Sequence, residues 1–373
     1  MEFVIKRNIF LEGIQRTLGI VDRKTTIPIL NNVLIRATDN NRVKITATDR
    51  EIVLVADYDA QVAVPGEITI GARKLFEMVR EIEGEQVHCK RLENDWVNIT
   101  CEKIVYKIPG IAADDFPDIA DEGDETYFTM ERGILKEMIR KTFFAISTDE
   151  MRVNLNGVYF ELEDHRIGMV STDGQRISIV NMELEQEVPE EQRIAGIIIP
   201  RKGVNEIRRL VDDGQEYARI GVRDGTFVLK LDDMSLRISL IEDNFPNYKR
   251  VIPRDQGIEV RVDRKHILQS LKRMDVMSSE RYSGVKIVLA DNKMVLNSTN
   301  PDVGEANDEI DISSEGTALE IGYNVKYLID AIDVIDDQTV SFEMRDNEGA
   351  GVIKAAGTDA YMCVIMPIKL RRD

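Results

Sequence analysis

The chain has 373 residues and carries 49 Lys and Arg against 67 Asp and Glu, a formal charge of −18. With 43% hydrophobic and 31% charged residues it has the make-up of an ordinary soluble globular chain, which excludes disordered and collagen-like classes, and its length calls for several cores of about 150 residues or fewer. Read as an average, −18 argues against nucleic acid and anionic membranes, because phosphate binding needs Lys and Arg to displace counterions.

In chain order, helical periodicity is predicted over residues 6–18, then an alternating strand over 43–48, a second helix over 73–82 and a strand over 97–99. The same order returns. Ile134, Leu135, Met138 and Ile139 mark one face of a helix over 131–141, followed by a strand at 158–162. Val204, Ile207, Leu210 and Val211 mark the next helix, over 201–210, and a strand follows at 227–231. A third round has helices at 264–275 and 325–335 and strands at 285–289 and 339–344.

The landmarks between these elements repeat as well. Ala47-Thr48-Asp49 returns as Ser171-Thr172-Asp173, 124 residues on, and as Ser298-Thr299-Asn300 after a further 127. Asp115-Phe116-Pro117-Asp118 returns as Asn244-Phe245-Pro246-Asn247 after 129, and Met366-Pro367 closes the third round. Three α+β domains follow, at 1–121, 126–253 and 258–373, each with two helices against a mostly antiparallel sheet. The boundaries fall where charge runs and Pro or Gly interrupt the period, at 121–125 and 254–257.

Charge is not uniform along these elements. The six helical windows carry +2, +1, +2, +3, +3 and −1 in chain order, +10 together, which leaves −28 for everything else. Lys and Arg are good helix formers and fill solvated faces, which accounts for any one helix. Five of six sharing a sign points instead to a basic helical face, provided the helices line one side of a continuous sheet. Such a face without base-reading motifs suits contact with a phosphate backbone.

Cys89, Cys101 and Cys363 lie far apart with no CxxC spacing, so neither a zinc ribbon nor a disulfide framework is indicated, and a reducing, cytoplasmic setting is expected. MEFVIKRNIF enters an alternating pattern with no positive n-region before a long apolar run, so no secretory signal is expected. No apolar stretch approaches the roughly 20 residues that span a bilayer, and no membrane partner is expected.

The threefold repeat, Pro28-Ile29-Leu30-Asn31-Asn32, Gly71-Ala72-Arg73-Lys74, Leu155-Asn156-Gly157, Thr172-Asp173-Gly174-Gln175-Arg176, Pro200-Arg201-Lys202-Gly203-Val204 and Val364-Ile365-Met366-Pro367-Ile368 together resemble the bacterial sliding clamp family, the beta subunit of DNA polymerase III, from end to end. The resemblance implies a head-to-tail homodimer closing a ring around double-stranded DNA, a heterologous contact that closes by rotation. It implies a non-catalytic processivity factor with no cofactor and no metal. It places DNA contacts on Lys24, Arg73, Arg152, Arg201 and Lys202, with Val153 and Asn154 standing where the family has paired aromatics. It places a groove for linear peptides on Leu155, Thr172, Gly174, Arg176, Ile177, Pro246, Arg250, Val251, Tyr327, Val364, Met366, Pro367 and Ile368, with Gln175 where His often occurs. The implied partners are the polymerase III catalytic subunit, the clamp-loader complex, repair polymerases and mismatch-repair proteins. The ring contact is expected to pair Tyr106 and Ile108 with Val276 and Met277, with Lys74 or Lys103 set against Glu305 or Glu309.

Two other readings stand beside this one. A carboxylate or metal enzyme would use Asp49 and Asp173, but Thr-Asp-Gly is turn chemistry and the third repeat has Asn300. His88, His165 and His266 form no metal-binding spacing, and no GxxxxGK[ST] loop is present, so a clamp would need an external ATP-driven loader. The other is a peptide-binding adaptor that does not bind DNA. Against the groove itself stands the alternative that Val364 to Ile368 is a last strand buried in its own core, which alternation alone does not separate from it.

Overall fold

A computed structural model describes residues 1–21, 26–119, 126–211, 216–253, 257–279, 283–314, 318–346 and 348–369. The charge runs at 121–125 and 254–256, where the sequence places the domain boundaries, lie outside the described residues. The chain divides into two compact units, residues 1–136 with 202–240, and residues 137–201 with 241–373.

All six predicted helices are present, within about two residues of their expected ends: α1 (Arg7–Thr17), α2 (Ala72–Arg80), α3 (Arg132–Thr142), α4 (Arg201–Leu210), α5 (Arg264–Asp275) and α6 (Val325–Asp333). Each follows a short strand directly. Apolar spacing sets the buried stripe: Leu75 and Val79 in α2, Ile267, Leu271 and Met274 in α5, Leu328 and Ile332 in α6. Within these observed bounds the helices carry +11, so the rest of the chain carries −29.

The strands are antiparallel throughout the described pairings, but they do not form the one continuous sheet that the sequence reading allowed. The first unit holds a five-stranded and an eight-stranded sheet, the second a nine-stranded and a four-stranded one. In the eight-stranded sheet the strand Ile52–Asp59 of the first repeat pairs with Met234–Ser239 of the second, Leu54 opposite Leu236. In the nine-stranded sheet Arg176–Glu183 of the second repeat pairs with Tyr361–Ile365 of the third, Ile177 opposite Val364. Each pairing closes an edge that a separate domain would have left open. The middle repeat is thus divided between two sheets. No local pattern records this, because register between strands about 180 residues apart is a non-local choice.

A second repeated device escaped the sequence reading. The first residue of α1 and of α5 is an arginine whose side chain reaches the end of the paired helix: Arg7 donates to the Val79 and Arg80 carbonyls at 3.1 and 2.5 Å, and Arg264 to those of Ile332 and Asp333 at 3.3 and 2.8 Å. Their backbone amides, with that of Arg132, donate to Glu85, Gln338 and Glu216 in turn. These guanidiniums satisfy orphan carbonyls and oppose the negative end of the helix dipole, so two charges counted toward a basic face serve as caps. Arg7→Ala or Arg264→Ala is expected to lower stability by about 1–2 kcal/mol in urea titrations, as loss of charged hydrogen bonds does. Exposed Lys265→Ala next door should stay within about 0.5 kcal/mol.

Candidate peptide groove and basic positions

The Thr-Asp pairs that an enzyme reading would have used are turn acceptors. Asp173 Oδ1 accepts from the amides of Gln175 and Arg176 at 2.9 and 3.0 Å, and Thr172 Oγ1 accepts from Gly174 and donates to the Arg176 carbonyl. Asp49 repeats this with Glu51 and Ile52, and Asn300 with Asp302. Gly174 takes φ +88°, and a Cβ there would also come within 2.5 Å of the Arg152 guanidinium; Arg50 holds the corresponding place with φ +82°. No group of three or more His, Cys, Asp or Glu side chains suited to a metal occurs among the described residues.

This turn delivers the chain into the strand that carries the candidate groove. Side chains alternate across a strand, so Ile177 and Arg176 face opposite ways. On one side Thr172, Ile177 and Val364 fall in line across three strands. Beyond the last strand Met366 is 45% exposed, held by its amide to the Gln175 carbonyl at 2.9 Å, and Ile368 donates to Gly322. The other wall is the segment after the Phe-Pro motif. Phe245 stacks on Tyr159 with centroids 5.1 Å apart, Tyr248 donates to buried Glu161 at 3.3 Å, and Ile177 packs on this cluster with Val170 and Ile179. Val251 then stands 49% exposed, with Pro246 and Arg250 also exposed. Leu155 is buried at the end of a 3-10 turn whose Asn154 amide nitrogen donates to the Asn244 carbonyl at 3.1 Å. The result is a short apolar floor with flexible or exposed apolar rims, Met among them, as adaptable peptide sites have. Of the tail, residues 361–365 are a mostly buried strand, and Met366 just beyond it is exposed.

Arg176 sits on the other side of that strand. It is 7% exposed, donates to Asp330 at 2.7 Å, Asp173 at 3.0 Å and the Phe144 carbonyl at 2.6 Å, and lies 4.2 Å from the Tyr327 ring centroid. Burial works against its charge, but the Asp330 hydrogen bond and the fields of both carboxylates outweigh it and raise its pKa above that of an ordinary arginine. Arg176 and Tyr327, expected to line the groove, are thus engaged with each other and act as a strut between two repeats. Thr172, at 4% exposed, likewise spends its hydroxyl on the turn.

The basic candidates stand in varied surroundings. Lys24 lies outside the described residues. Arg73 is half-buried in the first turn of α2. Lys202 pairs closely with Asp49. Arg152 is about half exposed between Asp149 and the Asp173 carbonyl. Arg201 lies 4.7 Å from the Phe143 ring centroid and donates to Ile146 at 3.0 Å, which explains a cation at a helix N-terminus. On α3, Arg140 and Lys141 both engage Glu137, holding its carboxyl near pKa 2, chiefly through Arg140. A depressed carboxyl stabilises the fold above its unfolded pKa and loses that contribution as pH falls through the folded one. Melting curves should therefore show Glu137→Gln losing its disadvantage between about pH 4.5 and pH 2.

For the expected ring contact, Ile104–Pro109 is an edge strand of the five-stranded sheet and Gly304–Asp311 an edge of the four-stranded one. Ile108 is buried at 7% within its own unit and Tyr106 half-buried, whereas Val105 is 63% exposed. Val276, at the end of α5, is 71% exposed and Val303 61%. The exposed large apolar residues at or next to these edges include Ile104, Val105, Val276 and Val303. Lys74 pairs with Glu77, and Glu309 with Lys293.

Comparison with known proteins decides the family. Models of the DNA polymerase III beta subunit match in order: its N-terminal domain at residues 1–120, its central domain at 129–247 and its C-terminal domain at 249–369. The chain belongs to the DNA polymerase III beta subunit family. It is 30% identical over 372 residues to the beta sliding clamp of Salmonella typhimurium and 28% identical to that of Escherichia coli, covering 99% of this chain and 100% of each relative. A sliding clamp from Bacillus subtilis superposes with a TM-score of 0.95 at 25% identity, covering 100% of both chains. A Pseudomonas aeruginosa clamp bound to griselimycin superposes with a TM-score of 0.92 at 29% identity, over 99% of this chain and 100% of that one. Members of this family are replication processivity factors rather than enzymes. The repeated clamp-domain fold, with two helices per repeat, is the family's own.

Proposed function

We propose that this chain is a sliding clamp that closes as a head-to-tail homodimer around double-stranded DNA and tethers polymerases through the groove at Ile177 and Val364. The observation that carries the reading is the segregation of charge, +11 on the helices against −29 elsewhere. Basic helices facing a duplex across water attract its backbone diffusely. With a Debye length of about 8 Å in physiological salt the attraction is weak and indifferent to sequence, so sliding is cheap and topology supplies retention. Arg73, Arg152, Arg201, Lys202 and Lys24 are the proposed contacts. Arg201 and Lys202 reach DNA only by exchanging a protein partner for a phosphate, a near-neutral swap that keeps the contact transient.

The proposed domains are 1–121, 126–253 and 258–373. The edges at Ile104–Pro109 and Gly304–Asp311 supply the ring contact, with Tyr106, Ile108, Val276 and Met277 around it and exposed Val105 and Val303 added. The partners proposed through linear motifs are the polymerase III catalytic subunit, the clamp loader, repair polymerases and mismatch-repair proteins, all in the cytoplasm. Native mass tests the assembly: at micromolar concentration the protein should run at twice 42.4 kDa. A monomer would overturn the ring.

A further inference from the structure

The first unit has a cleft on its eight-stranded sheet, about 910 Å³ in volume, that the groove and the basic positions do not use. It lies where strands of the first and second repeats pair. Its floor is set by register: Thr46 and Ser235 stand on either side of Val55, and Lys230 stands opposite Ser235 on the next strand. Arg237, two residues along from Ser235, shares its face. The Ser235 hydroxyl is the decisive feature. Ser235 is 5% exposed, and its Oγ is buried with no hydrogen-bond partner. A buried polar atom left unpaired costs about 1–3 kcal/mol, so such atoms mark places where a further group binds.

The surrounding charges say what kind of group. Lys230 and Arg237 flank the hydroxyl, and Lys230 is already held 4.5 Å from the Tyr127 ring centroid. Lys44 lies on the far side of Thr46, in a loose pair with Asp57 at 3.9 Å. An anion over Ser235 would therefore accept from its hydroxyl beside fixed cations. The rim has the opposite sign, with Asp114, Asp118, Asp232 and Asp233. That ring of carboxylates repels a polyanion such as an extended phosphodiester chain and leaves room for one carboxylate carried on an otherwise uncharged segment. One wall is apolar, formed by Leu34 and Phe116, which pack together as a buried cluster. A small free anion would leave that wall and most of the volume unused, whereas sites of about 300–1,000 Å³ take drug-sized ligands, comparable to a blocked dipeptide.

We propose that this cleft binds a short acidic peptide segment of a partner protein, its carboxylate seated on Ser235 between Lys230 and Arg237 and a neighbouring apolar side chain laid on Leu34 and Phe116. The site shares no residue with the groove at Ile177 and Val364 and does not depend on ring closure.

The test uses the full chain with methyl-labelled Met, Leu and Val, titrated with N-acetyl-Phe-Asp amide, its Asn analogue and succinate. The Asp peptide should shift the Met234, Leu34 and Val55 methyls and bind at least tenfold more tightly than the Asn peptide. Ser235→Ala and Lys230→Gln should each weaken it at least fivefold, with no fall in melting temperature and a rise in Ser235→Ala, which sheds the unpaired hydroxyl. Equal binding of the two peptides, affinity unchanged in both variants, or shifts confined to Met366 would overturn the proposal. Succinate matching the Asp peptide at the same methyls would overturn the peptide as occupant and leave a site for small carboxylates.

Discussion

Replacing Val251 and Met366 together by Asp should abolish capture of a fluorescent linear peptide from a replicative polymerase, weakening it at least about 30-fold, while the dimer and the melting temperature stay as they are. Both side chains are about half exposed, so neither change opens a cavity. Both stand at the rims of the apolar floor made by Ile177 and Val364, where a bound peptide would cover them. Charges there must be desolvated beside apolar surface, and anchor positions of this kind commonly cost 2 kcal/mol or more, with each 1.4 kcal/mol a factor of about ten. Deleting residues 366–373 should do the same, since it also removes the amides of Met366 and Ile368 that fasten the tail to Gln175 and Gly322. Polarisation titrations give the affinity and native mass gives the dimer. Loss of the dimer on deletion would mean that the tail is core, and full retention of peptide by the double variant would place the binding surface elsewhere.

The second large effect concerns Arg176. Arg176→Ala should lower the first melting transition by about 6–12 °C, the shift expected of about 3 kcal/mol lost from a unit near 200 residues. The guanidinium is nearly buried, yet every direction around it is satisfied: Asp330, Asp173, the Phe144 carbonyl and two aromatic faces. Its removal leaves Asp173 with its fixed backbone donors but without its counter-charge, and it opens space against Tyr327. Arg176→Lys should recover only part of the loss, because an ammonium cannot fork between two carboxylates while stacking on a ring. Because the strut ties the groove strand to α6, peptide affinity should fall as well, but less than in the rim variant. Calorimetry decides between this strut and a groove-lining role. A melting temperature within 2 °C of the parent, together with lost peptide binding, would return Arg176 to the groove.

Much of this was legible in the residues. The helices at 201–210 and 264–275 follow from apolar spacing alone, because each buries one stripe against its own sheet. Thr172-Asp173-Gly174 announced a turn, and the structure uses its hydroxyl, its carboxylate and its positive φ for that. Ile177 and Val364 lie outside the strands that alternation marked, and no local pattern could say that they oppose one another, since that register joins residues nearly 190 apart. The same limit hid the pairing of Leu54 with Leu236. Burial of Arg176 was hidden for a different reason. An arginine in an alternating strand reads as solvent-facing, and only tertiary placement of Asp330 and Tyr327 makes a buried one tolerable. The caps made by Arg7 and Arg264 had a faint signal, Arg at the same point of each repeat, which the count of helical charge absorbed without asking what each one touched. That charge count also stands on a different footing now: Arg140 pairs with Asp336 and Lys202 with Asp49, carboxylates that lie outside the helices, so the basic character of the helices is softer than +11 suggests.

The central claim is that DNA is held by a closed ring rather than by contacts. Protein loaded by a clamp loader onto a nicked circular plasmid should remain through gel filtration in about 0.15 M salt and leave once a restriction enzyme linearises the circle, because weak screened attraction cannot hold it at a free end. Equal retention on circular and linear DNA would contradict the account.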